Sequence, residues 1–348
     1  MEMTADGSSY FRFAETPLGR VAAWLVLAIG LALLPRGTAR AQELKFHLEP
    51  ADVMGPNACA QCHKSEIAAW QQTHHSTQFT NLYRLPDAQK IAQKMDVRLI
   101  NRDSLCMTCH YTVQSSAGGQ PSAIAGVSCE SCHGAAKSWI NLHNNLKVPD
   151  HLSQAAAAGM ILPTDYYGLA ANCFSCHTVP QEKLVNVGGH VAGSALELVT
   201  WSQGEVRHNF LLPGGKSGDH NAPASQNALR MLYVMGRIVD LEYGLRGTAK
   251  ATENANYGKA LAYRTFNARK SVQAIADATH LADLNAIIAA SGSDADLKVN
   301  NADVLNAAAG RVSQLARAFA KAHDGSDLAA VDALIPASDK YVGTVFQP

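Results

Sequence analysis

Hydrophobic positions change their rhythm twice along this chain. Over residues 21–34 they run almost unbroken. From about residue 42 to 222 the apolar runs are short, Gly and Pro are frequent, and no helical period is sustained. Residues 115–122 and 212–219 read as loops by composition. Beyond residue 222 a period near 3.6 takes over. Ala228, Leu232, Met235 and Val239 recur at intervals of 4, 3 and 4, beside a second stripe through Met231, Val234, Ile238, Leu241 and Leu245. An apolar face that broad predicts a helix over 225–250 packed on more than one side. Further helices are predicted over 257–279 and 281–290. Another runs through Val304, Ala308, Val312, Leu315 and Phe319 behind the cap-type residues Asn301 and Asp303, and a short one covers 327–334. The fold class is therefore mainly α, with little regular sheet before residue 222 and an Ala-rich helical bundle or hairpin over 223–348.

The cysteines explain why the first region lacks a protein-like rhythm. All eight fall in four Cys-x-x-Cys-His motifs: Cys59, Cys62 and His63; Cys106, Cys109 and His110; Cys129, Cys132 and His133; Cys173, Cys176 and His177. Each reads as a site of covalent haem c attachment. The thiols add across the two haem vinyl groups, a separation that one helical turn spans, and the adjacent histidine lies under the iron. A thioredoxin-like redox pair does not explain four repeats. A Cys-rich zinc site does not explain the four histidines or the absence of leftover Cys. Four haem c groups are expected, and region 42–222 is then a haem-packed domain whose core is largely porphyrin.

The ends agree with this chemistry. The apolar run 21–34 is shorter than the ~20 residues a bilayer needs. It follows Arg12 and Arg20 and precedes the small-x-small pattern Ala39-Arg40-Ala41, so 1–41 reads as a signal peptide cleaved before Gln42. The long segment before it, with Glu2, Asp6 and Glu15, keeps an uncleaved anchor as the alternative. Export implies the periplasm, where Cys-x-x-Cys-His haems are attached. With every Cys committed to haem, no structural disulfide is expected. Residues 1–41 carry four basic and three acidic side chains, which leaves 25 basic against 26 acidic and a net charge of −1. Ionised propionates take the holoprotein to roughly −5. That balance excludes nucleic acid as a partner and suits docking onto a redox protein.

Histidine supplies the second set of candidates. Four of the 14 histidines lie in the motifs, leaving ten others, and a six-coordinate haem needs one more ligand. His75, twelve residues beyond His63, stands in Trp70–Phe79 beside His74, and one member of that pair is expected to be a surface residue. His143 follows the third motif by ten residues. His190 comes after Gly188-Gly189, which lets backbone approach a haem face or simply turns the chain. His208 completes the set, whereas His47, His151 and His220 read as ordinary polar residues. Met95, Met107, Met160, Met231 and Met235 read as packing.

The third motif in its setting, Gly-Val-Ser-Cys-Glu-Ser-Cys-His-Gly over 126–134, resembles the tetrahaem cytochrome c-554 family, electron acceptors of hydroxylamine oxidoreductase. The histidine twelve residues past the first motif and the total of four sites are similar too. The resemblance covers roughly 55–210. It implies that His75 serves the third haem and His143 the first. It implies an open, five-coordinate second haem on Cys106, Cys109 and His110, and a fourth haem completed by His190 or His208. The long helical region after 222 departs from the family.

Three functions remain in view. An electron carrier between redox partners needs only closely spaced haems. A haem enzyme acting on NO, nitrite, hydroxylamine or peroxide needs an open iron with acid/base groups nearby. No Cys-x-x-Cys-Lys variant and no such constellation is visible in the sequence, so catalytic residues are not assigned. An assembly role would use the helical region to dock the chain on an enzyme or membrane complex, and exposed apolar patches there would favour it. Electron transfer is the leading reading. Intact mass spectrometry of the purified protein should find four covalent haems on a chain that starts at or near Gln42; a mass fitting fewer haems contradicts it.

Overall fold

The computed structural model describes residues 47–116, 118–212 and 216–348. The expected leader over 1–41 and its cleavage point lie outside these residues. The described residues form one compact unit, and the fold is mainly α.

The haem-motif region is a string of short helices: α1 (Pro56–Cys59), α2 (Lys64–Gln71), α3 (His74–Asn81), α4 (Pro86–Lys94), α5 (Ser104–His110), α6 (Cys129–His133), α7 (Ile140–His143), α8 (His151–Ala157), α9 (Tyr166–His177), α10 (Glu182–Asn186) and α11 (Leu198–Ser202). The loop expected over 115–122 is the turn of a small antiparallel hairpin, β1 (Thr112–Gln114) and β2 (Ser122–Ala125), which pairs Val113 with Ala123. A second small hairpin pairs β3 (Leu211–Leu212) with β4 (Lys216–Ser217). Short elements suit a region with few side chains to bury. Its local apolar clusters are small, such as Ala92, Ile100, Met107, Tyr111 and Val113 around the second motif.

The helical region follows its sequence pattern within a residue or two at most ends. It comprises α12 (Gln226–Ala249), α13 (Asn256–Thr279), α14 (Ala282–Ala290) and α15 (Ala302–Ala322). The last expected helix is a 3-10 segment, Ala329–Leu334. Ser225 caps α12 by accepting from Ala228 N at 3.3 Å. Asn301 precedes α15 but caps nothing; its amide donates to Asp296 O instead. Helices α12 and α13 approach closely because Gly244 and Gly247 face Thr265 and Leu261, where a Cβ would lie 2.7 and 2.6 Å from the nearest side-chain atom.

The boundary expected near residue 222 is crossed by this core. Tyr167, Ala170 and Phe174 of α9, with Leu198 and Val199 of α11, are buried in the same cluster as Met235, Ile238, Val272 and Val312. Tyr167 Oη donates to Glu242 at 2.8 Å and contacts Ser313 Oγ at 2.7 Å. Arg264 pairs with Asp240, donates to Ser194 O at 2.8 Å, and lies over the Phe174 ring. Burying aromatic side chains of this size stabilises by about 2–3 kcal/mol each, so the bundle fixes the helix that carries the fourth motif.

At the far end of the bundle His323 stacks on Phe319 and places its two ring nitrogens on Asp327 and Asp283, at 2.5 and 3.2 Å. Burial favours the neutral ring and is the largest single influence. Hydrogen bonds and charge from Asp327 and Asp283 together outweigh it and raise the pKa. A raised folded-state value means that this stabilisation is fully present below an unfolded value of about 6.5 and is lost as pH rises through the folded one. The thermal-stability deficit of Asp283→Asn relative to wild type should therefore shrink from about pH 6 to about pH 9. A deficit that stays constant across that range rules the linkage out.

Candidate haem-iron sites

Each motif lies on or beside a helical turn, which sets its two Cys on one face. The first closes α1 and runs into α2, with His63 at the N-cap of α2. The second ends α5, the third is α6 itself, and the fourth is the last turn of α9.

Buried polar contacts lock the motifs together. Glu130, between Cys129 and Cys132, is almost fully buried. Its carboxylate accepts from Met54 N, Gly55 N and Ala136 N at 2.8, 2.7 and 2.7 Å. That joins the third motif to the entry of the first, and Gly55 at φ +85° makes the turn. Asn172 Nδ2 donates to Cys132 O at 2.8 Å and so ties the third motif to the fourth. The Cys59 thiol lies beside that of Cys129, and the Cys109 thiol beside that of Cys176. Cys132 and Cys173 line the same cleft. Burial pushes the Cys106 and Cys132 thiols up to about 11, so both are protonated at neutral pH.

Every motif histidine faces a histidine from a distant stretch of chain. Ring centroids are 6.2 Å apart for His63 and His143, 6.3 Å for His110 and His190, 6.1 Å for His133 and His208, and 6.1 Å for His75 and His177. Metal–imidazole bonds are about 2 Å long, so two rings sharing an iron have centroids about 6 Å apart. The ring tautomers agree with that use. Nδ1 of His133, His143, His190 and His208 donates to a backbone carbonyl, and Nδ1 of His177 hydrogen-bonds Ser194 Oγ, at 2.6–2.9 Å. Each bond to a carbonyl leaves the Nε2 lone pair free for a metal. Burial, then neighbouring positive groups, hold His110 and His177 down at about 4, neutral and able to ligate.

Two further observations test whether haem fits. A solvent-open cleft is lined by His75, His177, Cys173 and Cys176, a full donor set, together with Cys109 and Cys132 of neighbouring motifs. Buried polar atoms lacking a protein partner sit beside the motifs: both Glu66 oxygens, Tyr111 Oη and Trp139 Nε1. The residues fit the group.

The pairing implied by the family resemblance differs from the one in the structure. His143 does face the first motif, but His75 faces the fourth rather than the third. Thr73 caps α3, and Glu205 holds His74, which sends the His75 ring to Trp201 and His177. The second motif has a facing histidine, His190, where an open site was implied. After α10 the turn at Gly188-Gly189 (φ +81° at Gly189) packs on Met95 and Lys94 and folds His190 back toward α5. His208 faces the third motif, so neither of the two candidates for the fourth site stands there. Residue reading overlooked Trp201, Glu130, Ser194 and Glu205, which have no spacing signature. His47 instead bonds Asn172 at 2.8 Å.

Residues 58–134, which hold the first three motifs, match the family model described as cytochrome c554 and c-prime. Over 131 residues the chain is 28% identical to the cytochrome c-554 of Nitrosomonas europaea, a match covering 34% of this chain and 50% of that protein. The chain thus spans about half the length of that relative. No solved structure matches. The class is a c-type cytochrome with covalently bound haem c, and the segment that holds the first three motifs is similar to the cytochrome c554 family.

Replacing His75 by Gly should convert one low-spin haem to high-spin in the optical spectrum. His74→Gln, which keeps an N–H for Glu205, should not. If the two variants swap behaviour, His74 is the residue that faces His177.

Proposed function

We propose that this chain is an exported, periplasmic tetrahaem electron relay in which all four irons are closed by two histidines. The carrying observation is that each of the four motif histidines has a partner ring at 6.1–6.3 Å. Haem c, when bound, supplies one-electron exchange, and an iron between two imidazoles changes little between its redox states. The chain's residues supply attachment and position. Cys59 and Cys62 hold the first group between His63 and His143; Cys106 and Cys109 hold the second between His110 and His190. Cys129 and Cys132 hold the third between His133 and His208; Cys173 and Cys176 hold the fourth between His177 and His75.

Neighbouring attachment thiols give an order along the protein. Cys59 meets Cys129, Cys132 neighbours Cys173, and Cys176 meets Cys109. The order is first, third, fourth, second, and adjacency of this kind favours a relay from one end to the other. Donor and acceptor are redox proteins docked at the two ends. The helical bundle offers a face for docking to an enzyme or membrane complex.

The competing reading, a haem enzyme working at an open second iron, needs that iron unligated. His190 facing His110 argues against it. Oxidised wild-type protein should bind no cyanide within seconds of mixing, whereas His190→Gly should bind about one equivalent rapidly. Rapid uptake of one equivalent by wild type would revive the enzyme.

A further inference from the structure

Beyond α15 the chain returns to the haem-motif region and lies along the segment that carries His208. Val342 N donates to Thr200 O at 3.0 Å, and Glu205 N donates to Val342 O at 2.8 Å. Gly343, at φ +69°, presses on Glu205: a Cβ there would sit 2.7 Å from Oε2 and 2.8 Å from Cβ. The Glu205 side chain, 5% exposed, is the hub. It accepts from His74 Nδ1 at 2.6 Å and from His74 N at 3.3 Å, at the start of the helix that presents His75.

A second anchor holds the other side of His208. Asn221, almost fully buried, donates through Nδ2 to Arg207 O at 2.6 Å and to Phe346 O at 3.1 Å. Its Oδ1 accepts from Asn209 N at 2.8 Å, and its N–H donates to Gln347 Oε1 at 3.0 Å. The residues on both sides of His208 are thereby fixed to one side chain, which is fixed in turn to 346–347. Phe346 packs edge-on against fully buried Phe210, centroids 6.2 Å apart. The His208 ring itself is exposed and tied only to Val206 O, so its place opposite His133 depends on the backbone beneath it.

We propose that segment 341–347 is a strap that positions the distal histidines of two irons: His75 through Glu205, and His208 through Asn221 and Phe346. Glu205, Asn221, Gly343 and Phe346 are positioning residues that touch no haem donor atom. This inference rests on the two-histidine reading of the third and fourth sites, and it gives part of the region outside the family match a role in iron ligation.

The test uses full-length holoprotein and resonance Raman spin-state markers of the ferric haems. Gly343→Val forces the strap off Glu205, and Phe346→Ala removes its anchor on Phe210. Each should turn one or two haems from low-spin to high-spin and admit about one equivalent or more of cyanide. Phe346→Leu should restore the low-spin spectrum. Leu284→Ala, deep in the bundle core, should lower the melting temperature without changing spin state. If Gly343→Val and Phe346→Ala stay wholly low-spin while losing stability as Leu284→Ala does, the segment is ordinary packing and the strap is refuted. An open iron already present in wild type at the third or fourth site would refute the two-histidine reading instead. One at the second site would leave the strap test intact.

Discussion

Two imidazole rings held about six ångström apart, four times over, is the constraint that orders this molecule. One ring of each pair is fixed by the covalent motif beside it. The other arrives from a segment between 75 and 102 residues away in the sequence, so the loops of the haem region are placed by where those rings must stand. That accounts for the short helices, for Gly-Gly before His190, and for a buried carboxylate, Glu130, that binds three backbone N–H groups at once. A carboxylate so buried is tolerable only because both of its oxygens are hydrogen-bonded. Its three bonds make the first and third motifs a single rigid piece.

The helical bundle is coupled to this arrangement rather than appended to it. Tyr167 and Phe174 of the fourth-motif helix are core residues of the bundle, and Arg264 of α13 donates to the backbone carbonyl of Ser194, whose hydroxyl bonds His177 Nδ1. A path of contacts therefore runs from Asp240 through Arg264 and Ser194 to a motif histidine. Outer contacts of this kind set ring orientation and ligand basicity. A bundle with no chemistry of its own can thus tune the sites through packing.

Sequence made some of this plain and hid the rest for identifiable reasons. Cys-x-x-Cys-His is a local pattern, so all four motifs were visible. Helical periodicity beyond residue 222 was strong because those helices bury side chains against side chains. Of the ten other histidines, the four that stand opposite motif histidines were the ones set apart by their surroundings. Which ring meets which motif was not legible. Pairing is a long-range outcome of the Thr73 cap, the Glu205 bond and the turn at Gly189, and the partners implied by the family resemblance hold here for His143 but not for His75 or the second site. The packing that crosses residue 222 was equally hidden, because apolar spacing in α9 does not say which partner will bury Tyr167 and Phe174.

Low-temperature electron paramagnetic resonance of the fully oxidised protein tests the central claim most directly. Four irons each closed by two histidines should give only low-spin ferric signals, integrating to four per chain. A high-spin ferric signal amounting to one iron per chain would contradict it.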